Sequence, residues 1–169
     1  MMLLEPNDLL EKLEFDKVVE LLKASCYGVL GKEALDELPF ETERTVIVRK
    51  LEEVVEYKLT IEENDPFPIS AYAPIFEEMK MLAVVDFVLP EEGLQKINQI
   101  LRNAMRIFQF FDYNRQELYP RLYSIVRPIT FESSLVDAIE AVIDEEGNIK
   151  PNASPALAKI SRTIGGKQK

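Results

Sequence analysis

Gly165-Gly166-Lys167 comes nearest in this chain to a loop that grips phosphate. Such a loop needs a glycine five positions before the Gly-Lys pair and Ser or Thr after the lysine, so that backbone N–H groups cradle the phosphates and a hydroxyl holds magnesium. Here Ser161 and Gln168 stand in those places and no buried strand leads in, so no ATP site is read. Asp144-Glu145-Glu146 offers carboxylates. A calcium loop, however, alternates its oxygen ligands, with Gly sixth and Glu twelfth, whereas Gly147 follows fourth. The run reads as a solvated polar turn. Glu52-Glu53 and Glu91-Glu92 read as solvent-face and helix-start charge, not as an acid and base pair, since neither comes with substrate-gripping groups. There is no His, and Cys26 is the single Cys. Cys/His zinc sites, an internal disulfide and a His general base are thereby excluded. Cys26 falls on an apolar helix face, where a buried structural thiol is expected. Phe108 and Phe111 belong to a core seam, while Phe110 lies off it and is freer for a contact role such as base stacking. Asn152-Ala153-Ser154 matches a glycosylation triplet, but reads here as a turn and cap. No catalytic, cofactor-binding or metal-ligating residue is assigned.

Charge is the remaining chemical signal. Thirty acids against twenty bases give a formal charge of −10 and a pI near 4.7. That excludes a binder of nucleic acid or anionic membrane over its whole surface, which would need excess Lys and Arg. The distribution is uneven. Residues 1–149 hold all thirty acids and fifteen bases, whereas 150–169 hold Lys150, Lys159, Arg162, Lys167 and Lys169 with no acid. One reading is a solvated helix end whose cations complement the negative C-terminal dipole. The other is a basic arm directed at phosphate, in which Lys159, Arg162, Lys167 and Lys169 contact nucleic acid.

The elements that would position these residues are helical. Asp8 can cap a short turn bearing Leu9, Leu10 and Leu13, and Asp16 a second helix bearing Val18, Leu21, Leu22 and Cys26 on one face. Gly28 and Gly31 interrupt, and Lys32 to Leu38 resumes until Pro39. Thr42 opens a long stretch with Ile47, Leu51 and Val54 as one seam and Val48, Val55 and Leu59 broadening it. Asn64 to Ala73, with Pro66 and Pro68, reads as a loop between two helical groups, and Pro74 as the first residue of a helix bearing Ile75, Met79 and Leu82. Pro90 with Glu91 and Glu92 starts the most regular helix. Its Leu94, Ile97, Leu101, Ala104, Phe108 and Phe111 recur every three or four residues. Tyr119-Pro120 starts a short helix with Leu122, Ile125 and Val126 that stops before Pro128. Thr130 or Ser133 caps one with Leu135, Ile139, Val142 and Ile143. A small hairpin around Gly147 then leads to Ser154-Pro155, a hydroxyl cap with proline at the first helical position, and Leu157, Ile160 and Ile164 line the last helix. The fold class is all-α, a multi-helix bundle. Its expected divisions are 1–63, a first helical group; 64–73, a connecting loop; 74–152, a second group; and 153–169, the start of a long helix. The acidic N-terminus is no secretory signal and no window is apolar enough to span a membrane, so a cytoplasmic protein with a reduced thiol and no membrane partner is expected.

Two blocks carry a family resemblance. Leu13-Glu14-Phe15-Asp16-Lys17-Val18 with Leu21-Leu22-Lys23 and Leu30-Gly31-Lys32 resembles the start of proteins in the MutS-Two branch of the MutS ATPases. Asp144-Glu145-Glu146-Gly147-Asn148-Ile149, then Asn152-Ala153-Ser154-Pro155-Ala156-Leu157 and Ile160-Ser161-Arg162, resembles that family's acidic-Gly-Ile turn and the start of its lever helix. Ser161 departs from the pattern, where Arg is common, and Gly165-Gly166 is unusual inside a long helix. The resemblance implies dimeric, DNA-binding ATPases that use ATP and magnesium in repair and in control of recombination. Some carry an endonuclease domain, and some are linked to collided ribosomes. This chain would correspond to the first half of the helical core, with the lever starting at Ser154-Pro155. The clamp, ATPase and nuclease would lie beyond Lys169. The expectation is a non-enzymatic scaffold with weak or no binding of nucleic acid by itself. The alternative is a stand-alone acidic helical module that docks a basic partner.

Overall fold

A computed structural model describes residues 8–144 and 146–165, with the side chains of Arg162, Ile164 and Gly165 excepted. Among the described residues the regular structure is helical, as expected, with one antiparallel bridge between Ile143 and Ile149. The helices are α1 (Leu9–Lys12), α2 (Phe15–Ala24), α3 (Val29–Asp36), α4 (Arg44–Glu62), α5 (Phe76–Leu82), α6 (Glu91–Phe110), α7 (Tyr113–Leu118), α8 (Pro120–Val126), α9 (Ser134–Val142) and α10 (Pro155–Gly165). They fall into two compact units, Met1–Ala73 with Phe110–Pro128 and Pro74–Gln109 with Ile129–Lys169.

In the first unit, α1, α2 and α3 contact one another in turn but bury no residue. The face expected to pack through Val18, Leu21 and Leu22 is exposed, and Cys26 is half-buried, its thiol donating to the Leu22 carbonyl at 3.4 Å. Short helices with no buried residue among them do not close a core of their own. The start of α2 also differs from expectation. Glu14 precedes it in the left-handed region (φ 54°), so Asp16 lies inside the first turn, where it faces the positive dipole end without capping.

The better-packed part of this unit is where α4 meets α8 and residues 110–128 return to it. Phe67, Phe110, Phe111, Tyr119 and Tyr123 form a ring cluster with centroid separations of 5.2–6.1 Å. Phe110, expected to be freer than its neighbours, is buried there, a correction with a local cause. The chain leaves α6 at Phe110, Asp112 N–H donates back to the Phe110 carbonyl at 2.9 Å, and the turn carries the ring inward. Asp112 then caps α7, a helix the apolar periodicity did not announce, by accepting from Arg115 N–H at 2.9 Å. Arg115 lies 4.7 Å over the Phe110 ring and makes a two-pronged pair with Asp65, both contacts at 2.7 Å. Those bonds hold the Asp65 carboxyl below its usual range, and burial pushes the Tyr119 phenol up.

In the second unit, Leu89, Ile97, Ile139 and Ile143 form the buried core, flanked by Ile75, Leu94, Leu101 and Val142. Each fully buried aliphatic side chain contributes about 1.5–3 kcal/mol. The α6 seam thus packs largely as its spacing predicts, with Phe108 stacked on Phe131 at 5.2 Å. Its last member, Phe111, lies past the helix end and is buried in the first unit instead. α5 is tied to α6 by Lys96 and Glu78 at 2.6 Å, which holds the Glu78 carboxyl down. α5 begins at Phe76 with Ile75 flanking it, so Pro74 lies before the helix. The first-turn bond runs from Met79 N–H to the Ile75 carbonyl at 2.9 Å, which excludes Pro74 from the turn.

Candidate nucleic-acid interface

The interface proposed from charge is α10, and its root is built from the preceding turn. Gly147 has φ 90°, a conformation that favours glycine, and a Cβ there would lie 2.5 Å from the end of the Gln95 side chain and displace it. Asp144 accepts N–H bonds from Glu146 at 3.0 Å and Asn148 at 2.9 Å, which lowers its carboxyl from the usual range. Gln95 Nε2 donates to the Glu146 carbonyl at 3.0 Å, fastening the turn to α6. Asp144 N–H donates to the Asn148 carbonyl and Lys150 N–H to the Val142 carbonyl, closing a hairpin around Gly147. The carboxylate that could have suggested a cation site is therefore spent on its own turn. Among the described residues no group of three or more His, Cys, Asp and Glu converges to hold a metal ion.

After the hairpin, Ser154 Oγ accepts from Leu157 N–H at 3.2 Å and Pro155 opens α10, the expected cap and start. Pro155, Ala158, Lys159 and Thr163 share one open face. Thr163 turns its hydroxyl back to the Lys159 carbonyl at 2.9 Å, so Lys159 supplies the charge of that face. Leu157 and Ile160 are exposed.

Of the four residues expected to contact nucleic acid, Lys159 is exposed and free of ion pairs among the described residues. The Arg162 side chain, Lys167 and Lys169 lie outside the described residues, as does the Gly166-Lys167 part of the phosphate-loop look-alike. Lys150, the fifth cation of the basic stretch, is not part of an open arm. Its ammonium donates to the Glu140 carbonyl at the C-terminal end of α9, where a cation meets the negative dipole end. Glu140 in turn takes Arg102. Neither tie had a signal in the sequence, because both depend on which helix ends the fold brings together. One exposed lysine neutralises about one phosphate, and non-specific affinity grows with that number.

The chain matches relatives called Endonuclease MutS2. The identity is 26% over 159 residues in Alkaliphilus oremlandii and 28% over 159 residues in Pelotomaculum thermopropionicum, 94% of this chain in both cases. It is 29% over 160 residues in Ruminiclostridium cellulolyticum, 92% of this chain. The chain is similar to MutS2 along nearly its whole length. The resemblance read from its two sequence blocks is thus supported by whole-length comparison. The chain spans about one fifth (20%) of the length of these MutS2 relatives. No family model matches it, and no solved structure matches it. No described helix is long and apolar enough to cross a membrane.

Proposed function

We propose that this chain is the helical scaffold of a MutS2-like protein, in which α10 begins a lever that couples an ATPase elsewhere in the polypeptide to a clamp on nucleic acid. The observation that carries this reading is the match along 94% of the chain against 20% of the MutS2 relatives. The packed α6 core, with α10 rooted on it through the Gly147 hairpin, supports the mechanical role. A lever transmits force only from a fixed base. In the longer protein, ATP and magnesium belong to the ATPase, the endonuclease activity named for the relatives to another segment, and DNA or the ribosome to the clamp, with two copies forming the working assembly.

The 169-residue chain is then expected to hydrolyse no ATP, and magnesium-dependent turnover by the pure chain would overturn the reading. A salt titration with linear and branched DNA tests the arm. Binding should be weak, with Kd on the order of 10⁻⁴–10⁻⁶ M at physiological salt, and should fall further when Lys159, Arg162, Lys167 and Lys169 are changed to Gln. Undiminished binding by that variant would remove α10 as the interface.

A second reading, an acidic module that docks proteins, is favoured by one observation. Among the described residues thirty large hydrophobic side chains are exposed and ten are buried. Binding of a basic protein that survives the four-fold neutralisation would select it.

A further inference from the structure

The longest helix of the first unit is packed with its polar side inward. The two residues that α4 buries are Glu56 and Thr60, whereas Val48, Leu51, Val55 and Leu59 are exposed. These four recur at spacings of three, four and four, a single stripe along the helix. Leu51 is 60% and Val55 56% exposed. Val48, Leu51 and Val55 also line a shallow groove of about 470 Å³ with Pro120, Glu52, Glu56 and Arg121. A contiguous exposed apolar surface of this kind marks an interaction site.

Charge along the same helix says what fits there. Residues 44–50 carry Arg44, Arg49 and Lys50 and no acid, while 51–63 carry Glu52, Glu53, Glu56, Glu62 and Glu63 against Lys58 alone. A helix with one basic and one acidic half is complementary to itself reversed. A parallel copy would set like charge on like charge, and an antiparallel copy sets opposite charges together. Such an arrangement is isologous, closed by a two-fold axis. With the axis near Glu53, Leu51 meets Val55 of the second copy and the Arg44 end meets the Glu62–Glu63 end. Lys50 and Lys58 are already held by Glu41 and Glu62 within the chain. Arg44 and Glu63 are in no ion pair among the described residues and so are available across the axis.

We propose that the outer face of α4 is a self-pairing surface, on which α4 of a second copy of this chain lies antiparallel with the stripes interdigitated and the charged halves crossed. This goes beyond the scaffold reading and does not depend on it.

Sedimentation velocity of the whole chain from about 1 to about 100 µM tests it. The sedimentation coefficient is expected to rise from monomer to dimer with concentration. Leu51→Glu with Val55→Glu should leave a monomer throughout, with an unchanged circular dichroism spectrum because both side chains are exposed. Arg44→Glu should weaken the dimer by about tenfold or more at low salt, and adding Glu63→Arg should restore it. A native chain that stays monomeric would assign the face to another segment of a longer polypeptide or to a different protein, and overturns the proposal. So does a dimer that survives the Leu51→Glu, Val55→Glu change, or one abolished by Val85→Glu on the second unit.

Discussion

The two longest helices, α4 with 19 residues and α6 with 20, use their faces in opposite ways. α6 turns Leu94, Ile97 and Leu101 to the core shared with Ile139 and Ile143. α4 turns Glu56 inward and leaves its aliphatic stripe outside. The reason lies at the start of α8. Pro120 occupies its first position and has no N–H, and Tyr119 supplies no side-chain cap, so the next two amides need an acceptor. Glu56 provides it from α4, taking Arg121 N–H at 3.0 and 2.8 Å and Leu122 N–H at 2.9 Å. Its charge also sits at the positive end of the α8 dipole. Arg121 adds a 2.7 Å pair to Glu52. A helix packs by its polar side when a neighbour presents unsatisfied donors there, and its apolar side is then left for something else.

The largest effect that separates the two helices should come from Ile97→Ala in α6. It removes buried core and is expected to cost about 2–5 kcal/mol by urea unfolding. Leu51→Ala in α4, measured at concentrations too low for association, should stay within about 0.5 kcal/mol. Equal losses at the two sites would mean that the α4 stripe is covered within the chain. Next in size, Glu56→Ala strands the Arg121 and Leu122 amides and should cost about 1–3 kcal/mol. Glu56→Gln, which keeps an acceptor oxygen, should lose less. If Ala and Gln behave alike and cost little, the cap is not what turns α4 inward.

The smallest contrast is in pH. Asp65 is held below its ordinary value of 3.8, chiefly by its hydrogen bonds from Arg115. A carboxyl depressed in the fold contributes stability that is complete above the unfolded value and is lost as pH falls through the folded one. Acid should therefore weaken the first unit below about pH 4, and Asp65→Asn should flatten that dependence. A variant with the native acid profile would show that the pair adds nothing measurable.

Much of the architecture was legible in the residues. The α6 spacing, the Tyr119-Pro120 start, the Ser154-Pro155 cap and the Gly147 turn are local patterns, and local backbone chemistry enforces them. Phe110 and Lys150 were not legible. Phe110 lies off the α6 periodicity, but the helix ends at that residue and the ring joins Phe67 and Tyr119. Lys150 looked like one more cation of a basic arm until the fold brought the end of α9 to it. The stripe of Leu51 and Val55 was visible as a seam, but its direction was not. Periodicity reports that a helix has two faces and does not say which one its neighbour takes.

The sequence by itself determined that the chain is helical, where α6, α8 and α10 start, that the charge is split between an acidic body and a basic end, and that the chain resembles MutS2. These follow from side-chain periodicity, capping and composition, which act within a few residues along the chain. Only the tertiary structure decided that α4 packs by its carboxylate, that Arg115 pairs with Asp65 fifty positions away, and that α10 is rooted through Gln95 and Lys150. Those contacts join groups distant in sequence, and an unmet amide or carbonyl becomes a constraint only once folding has taken it from water.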